Sequence, residues 1–294
     1  MSAESAAAGT ACVQRAWAKI NLTLQVVGRR PDGYHELESL VVFAEVGDSL
    51  KIEAAGDLSL SVAGPFAPAL AMEDDNLVLR AARALAERAG VLPAAALTLT
   101  KNLPVASGIG GGSADAAAAL RGLSRLWNVS LPAGELEALA LRLGADVPVC
   151  LRGEAAIMSG IGERLQPVPA LPPLWLLLVN PGVAVSTAAV FRSLAGNFSA
   201  VAEPRLPPLG LAAFVDWLAA RPNDLQAPAC RQAPEVVAAL AALDECDDCL
   251  LVRMSGSGAT CFGLFESENA ARQAAEALAV QHPDWWVVPA LLRA

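Results

Sequence analysis

Apolar and polar residues alternate over residues 13–27. Ala16, Ala18, Ile20, Leu22, Leu24 and Val26 form one set, and Arg15, Lys19, Asn21, Thr23 and Gln25 fall between them. A period of two predicts a strand whose two sets face opposite ways. Lys19 and Asn21 therefore point the same way, off the core. Pro31, Asp32 and Gly33 predict a turn. Strands follow at 40–43 and 49–53. The spacing then changes to that of a helix over 75–88, with Leu77, Ala81, Leu85 and Arg88 recurring, Asp74 or Asp75 as a cap, and Gly90 just past the end.

A strand at 96–101 leads into a loop at 102–112 and a helix at 113–127, with Ser113 as its predicted cap. A third helix, 135–143, stops at Gly144, and 154–159 reads as a strand. Pro167, Pro169, Pro172 and Pro173 mark the best candidate boundary. Beyond it lie strands at 175–179, 250–254 and 260–265. Helices are predicted at 211–220, 233–243 and 268–280, the last with Ser267 as cap. Strands and helices mix without regular βαβ alternation, which favours an α+β fold. This gives a tail at 1–12, a domain at 13–166 and a second at 167–294.

Composition narrows the function. Hydrophobic residues are 54% of 294, enough for a sizeable core. Thirty acids against 21 bases give a net charge of −9, and an acidic surface repels phosphate backbones, so nucleic acid is not the expected partner. The first dozen residues contain Glu4 but no Lys or Arg, unlike a secretory leader. No apolar run approaches the roughly 18 residues of a membrane span. A cytoplasmic protein without a membrane partner is expected. Of six cysteines only Cys246 and Cys249 have C-x-x-C spacing, and the second pair that a zinc site wants is absent.

The most informative segment is P-V-A-S-G-I-G-G-G-S-A-D, residues 104–115. Gly108, Gly110, Gly111 and Gly112 stand just before a helix. Glycines let backbone N–H groups approach a ligand, and a helix N-terminus adds unpaired donors and a positive dipole end. Together they make an anion site sized for phosphates. The lysine of a Walker A loop is missing between Gly112 and Ser113, and Ser113 stands where a dinucleotide fingerprint needs its third glycine.

This loop resembles the phosphate loop of the GHMP kinases, the family of galactokinase, homoserine kinase and mevalonate kinase. Three further segments are similar to that family: residues 18–37 (A-K-I-N-L-T-L-Q-V-V-G-R-R-P-D-G-Y-H-E-L), 143–149 (L-G-A-D-V-P-V) and 253–265 (R-M-S-G-S-G-A-T-C-F-G-L-F). The G-R-R-P-D-G-Y-H stretch resembles the branch that phosphorylates the 2-hydroxyl of a cytidylated methylerythritol in isoprenoid synthesis. The resemblance implies ATP and Mg²⁺, and two α+β domains with the active site between them. It departs at Ala114, where a second serine is common.

The resemblance also implies roles. Asp146 is the expected base; on spacing alone it reads first as a turn carboxylate, and the resemblance reverses that. Lys19 is expected to stabilise charge developing on the reacting oxygens; by itself it would be a solvated strand lysine. Asn21 is expected to donate to substrate or Asp146. Tyr34 is expected to stack on cytosine, His35 to hydrogen-bond its edge, Phe191 to close the base from the other side, and Thr187 to touch the substrate. For the nucleotide the resemblance implies Pro104, Val105, Ala106, Ser107, Gly108, Ile109, Gly110, Gly111, Gly112, Ser113 and Ala114, with Lys101 facing it.

Overall fold

The computed structural model describes residues 11–70, 76–194, 196, 198–200 and 206–294. Most of the expected tail, the candidate caps Asp74 and Asp75, and part of 195–208 lie outside the described residues. The chain begins with strands β1 (Cys12–Asn21), β2 (Gln25–Arg29), β3 (His35–Glu53) and β4 (Leu58–Ala63). Next come α1 (Leu77–Ala89), β5 (Ala95–Thr100), α2 (Gly111–Leu126), α3 (Glu135–Leu143) and α4 (Val147–Arg152). Strands β6 (Ala156–Gly160), β7 (Arg164–Pro167) and β8 (Trp175–Asn180) precede α5 (Thr187–Arg192), α6 (Leu211–Ala219), α7 (Gln226–Gln232) and α8 (Pro234–Asp244). The chain closes with β9 (Leu251–Met254), β10 (Cys261–Phe265), α9 (Glu268–Gln281) and β11 (Trp286–Arg293).

Two compact units emerge. The first takes residues up to Ala16, Gly47–Val105 and Gly111–Leu151. Within it β5 pairs antiparallel with the end of β3, Leu50 facing Leu99, and parallel with β4. α1 turns Val78, Ala81, Ala82, Leu85 and Ala86 inward and packs along α2. Asn76 caps α1, its Oδ1 accepting from the Val78 N–H at 2.9 Å. Gly90 ends it in the left-handed region at φ 66°. Ala116 to Ala119 of α2 are all fully buried, and such small side chains let its neighbours come close.

The second unit takes Trp17–Val46, Ala106–Gly110 and Arg152–Ala294. β2 and β6 pair with the first part of β3. β11, β8, β10 and β9 form an antiparallel array in that order. Leu177, Val179 and Phe265 from this array, with Val236 and Leu243 of α8 and Ala271 and Leu278 of α9, build its core.

Several expectations need correction. The predicted strand at 13–27 is two strands, because the chain changes partners between them: the Leu22 N–H donates to Leu40 O, and the Leu24 N–H to Pro222 O. The polar face of β1 is not solvated; Lys19 and Asn21 are 3% and 1% exposed. The strands expected at 40–43 and 49–53 are one continuous β3. α2 begins at Gly111, so Ser113 lies inside its first turn and is not its cap. α4, β4, β7, α7 and β11 were not foreseen.

Candidate active site

The glycine loop is built from both ends. Its first half is clamped to the turn after β9. Ser255 Oγ donates to Gly108 O at 3.1 Å, and the Thr260 N–H donates to Ser107 O at 3.0 Å. Gly108 has φ 79°, and a Cβ on it would stand 2.5 Å from Ser255 O. Gly256 has φ 56°, and its Cβ would stand 2.5 Å from Gly108 O. Neither position tolerates a side chain, for conformation and for space. Asn223 braces the second loop, its Nδ2 donating to Met254 O at 2.7 Å and Gly256 O at 2.8 Å. The second half of the loop runs into α2. Gly112 is exposed, with nothing within 4 Å of where a Cβ would stand. Ser113 is half-buried beside it, and Ala114 is buried. Open space over backbone at a helix N-terminus is what a phosphate chain requires.

Lys19 lies against the first half of the loop. Its N–H donates to Ile109 O at 2.9 Å, and its Nζ donates to Asn21 Oδ1 at 2.9 Å. A Cβ on Gly110 would stand 3.1 Å from Lys19 Cε. The Asn21 N–H donates to Ser255 Oγ at 3.1 Å, and its Nδ2 donates to Ser39 Oγ at 2.8 Å. The structure thus joins Lys19, Asn21, the glycine loop and Ser255. Thr187 joins the same loop, its hydroxyl 2.7 Å from Ser257 Oγ.

Lys101 is 2% exposed. Its ammonium is ion-paired with Asp48 Oδ2 and, at 2.7 Å, with Asp115 Oδ2. Burial alone would lower its pKa; Asp115 and Asp48 more than offset this and raise it. Asp48 Oδ1 accepts from the Asn102 N–H at 2.5 Å and the Leu103 N–H at 2.9 Å. Burial pushes the Asp115 carboxyl up to about 7; Lys101 pulls it back and Asp48 pushes it further up. Sequence reasoning missed Asp48, Asp115 and Asn223. An aspartate one turn into a helix reads as ordinary dipole compensation, and nothing local links Asp48 to a lysine 53 residues away.

Asp146 is half-buried between α3 and α4, its carbonyl accepting from the Cys150 N–H at 3.2 Å. It therefore stands immediately before α4, a helix that sequence reasoning left as turn. In the second unit His35 opens β3 and stacks on Phe191, ring centres 4.8 Å apart at 26°. Phe198 meets His35 edge-on at 6.2 Å. Burial, then the Arg29 charge, lower the His35 pKa from 6.5. Tyr34, just before β3, is 58% exposed. Cys246 and Cys249 are free thiols. Burial pushes Cys249 up to about 11 and raises Cys246 as well. Among the described residues no group of three His, Cys, Asp or Glu is placed to hold a metal, and no helix is long and apolar enough to cross a membrane.

This glycine cradle at a helix N-terminus, with a buried lysine against it, defines a phosphotransferase of one class. Residues 76–154 match the GHMP kinases N terminal domain, and residues 198–283 match GHMP kinases C terminal. The chain belongs to the GHMP kinases and is an ATP-dependent small-molecule kinase. It is 56% identical over 275 residues to a curated relative from Paramagnetospirillum magneticum, covering 94% of this chain and 96% of the relative. It is 58% identical over 278 residues to one from Cereibacter sphaeroides, covering 93% and 96%. Both relatives are named 4-diphosphocytidyl-2-C-methyl-D-erythritol kinase. A crystal structure of 4-(cytidine 5'-diphospho)-2C-methyl-D-erythritol kinase superimposes with TM-score 0.76 at 36% identity, covering 96% of this chain and all of that one. Leishmania major mevalonate kinase shares the fold at TM-score 0.69 and 18% identity.

Proposed function

We propose that this kinase transfers the γ-phosphoryl group of ATP to the 2-hydroxyl of 4-diphosphocytidyl-2-C-methyl-D-erythritol, in the cytoplasm, giving the 2-phosphate and ADP for isoprenoid precursor synthesis. The stacked rings of His35 and Phe191, next in the chain to the exposed Tyr34, carry the reading. A flat base needs ring faces and a polar edge, whereas a small alcohol such as homoserine needs neither. The relatives' shared name supports the same substrate.

In this reading residues 104–114 hold the nucleotide, the loop N–H groups and the Ser113 hydroxyl lying against its phosphates. Lys101 serves the same subsite. Mg²⁺ carried in with those phosphates would supply neutralisation of their charge. Tyr34 stacks on the cytosine, Phe191 closes it from the other face, and the His35 ring meets its polar edge. Asn21 and Thr187 hold the sugar-alcohol portion. Asp146 accepts the proton of the 2-hydroxyl as that oxygen bonds to the γ-phosphorus and the bond to the ADP oxygen breaks. Lys19 stabilises the negative charge spread over the transferring oxygens.

Measuring ADP release with Mg-ATP tests this, offering the cytidylated substrate, methylerythritol 4-phosphate, homoserine and mevalonate in turn. Turnover confined to the first is expected. Turnover only with a small alcohol would overturn the base subsite. Asp146→Asn is expected to lose at least a hundredfold in kcat while ATP binding, read by calorimetry, stays near the parent value.

A further inference from the structure

Asp48, Lys101 and Asp115 form a closed cluster under the start of α2. Their side chains are 0%, 3% and 4% exposed. The cluster ties three elements together: Asp48 on β3, Lys101 just after β5, and Asp115 one turn into α2. It also touches the glycine loop, since a Cβ on Gly111 would stand 3.0 Å from Lys101 Nζ. Its charge does not balance, because two carboxylates share one ammonium. The two acids are also unequally served. Asp48 takes two backbone N–H donors and the ammonium. Asp115 takes the ammonium, at Oδ2, and no backbone N–H donor among the described residues. Its Oδ1 is buried with no hydrogen-bond partner among the described residues.

A surplus negative charge under this helix turn competes with nucleotide phosphates for the same positive helix end. A proton on one carboxyl removes the surplus. Asp48 is held by three donors and Asp115 by the ammonium, so the proton goes to Asp115. We propose that Asp115 is a positioning residue for the nucleotide: with Lys101 and Asp48 it locks the first turn of α2 to the loop before it, and its carboxyl holds a proton, shared toward Asp48, while the phosphates are bound. The charges acting on Asp115 come from Lys101 and Asp48. Arg121, further along α2, donates instead to the carbonyls of Cys150 and Arg15. On α1 and α3, which pack along α2, Arg80, Arg83, Glu87, Arg88 and Arg142 are exposed, on the outer faces. This rests on the nucleotide reading of the glycine loop, and that reading is tested separately by whether the nucleotide binds at all.

The sign follows from linkage. Binding favours the neutral carboxyl, so the enzyme takes up a proton when it binds nucleotide above about pH 7. Affinity falls as pH rises, by up to tenfold per unit. Titration of the full-length enzyme with Mg²⁺ and the non-hydrolysable analogue AMP-PNP, by calorimetry from pH 6 to 9 in two buffers of different ionisation enthalpy, reads both. The parent should take up protons at pH 8, above the range where the phosphates themselves titrate. Asp115→Asn, neutral and of the same shape, should take up none and bind with nearly pH-independent affinity. Asp115→Ala should raise KM for ATP more than kcat falls, and Asp115→Asn should restore KM. The proposal is overturned if the parent takes up no protons at pH 8, a result that needs no variant to fold. It is overturned equally if Asp115→Asn keeps the parent's pH profile, or loses as much affinity as Asp115→Ala at pH 6.5. Failure of AMP-PNP to bind any of the proteins would instead strike the nucleotide reading.

Discussion

Lys19 and Lys101 look alike in the sequence, each on or beside a strand with polar neighbours. Both are buried, and each has a loop glycine against it, Gly110 over Lys19 and Gly111 over Lys101. Their neighbours in the fold are not the same. Lys19 donates to the neutral amide of Asn21, whereas Lys101 sits between two carboxylates. Lys101 thereby fixes structure through its charge. What makes Lys101 structural is therefore the pair of acids that the fold brings to it.

The comparison breaks most sharply at Lys101. Lys101→Met leaves two buried acids without their ammonium partner and is expected to cost about 3–5 kcal/mol of stability, read from urea unfolding. Lys19→Met should instead act on chemistry, lowering kcat by roughly 10²–10³ with the smaller loss in unfolding midpoint of the two. If the two variants exchanged these effects, the division of labour drawn here would be wrong. Tyr34→Ala sharpens the contrast between nucleotide and base subsites. It should raise KM for the cytidylated substrate by an amount worth about 1–3 kcal/mol of stacking, with KM for ATP unmoved. The smallest effect concerns His35. Burial and Arg29 disfavour its charged form, so the neutral ring persists as pH falls through 6.5. KM for the cytidylated substrate should stay level down to that pH and rise only below it, and in His35→Gln it should stay level throughout.

Much of this was legible in the chain because the relevant signals are local. Gly90 and Ser267 end and begin helices where a left-handed residue and a hydroxyl cap are needed, and the structure has both. The glycine loop was legible as a segment that opens a helix. The continuity of β3 was not legible, because Gly47 and Asp48 read as a break. Asp48 belongs in a strand only because its carboxylate has Lys101, Asn102 and Leu103 to serve. The full burial of Lys19 and Asn21 was equally hidden. Alternation reports one apolar face of a strand, and only tertiary contacts such as Ile109 and Ser255 show that the other face is covered too.

Gly108 occupies the space that a side chain on Gly256 would need, and Ser255 and Gly258 occupy the space that a side chain on Gly108 would need. In terms of heredity, these two stretches, far apart in the gene, make up one unit of change. A substitution at either must be answered at the other, and anyone transplanting the glycine loop into another scaffold must carry the 255–258 turn, and Asn223 behind it, along with it.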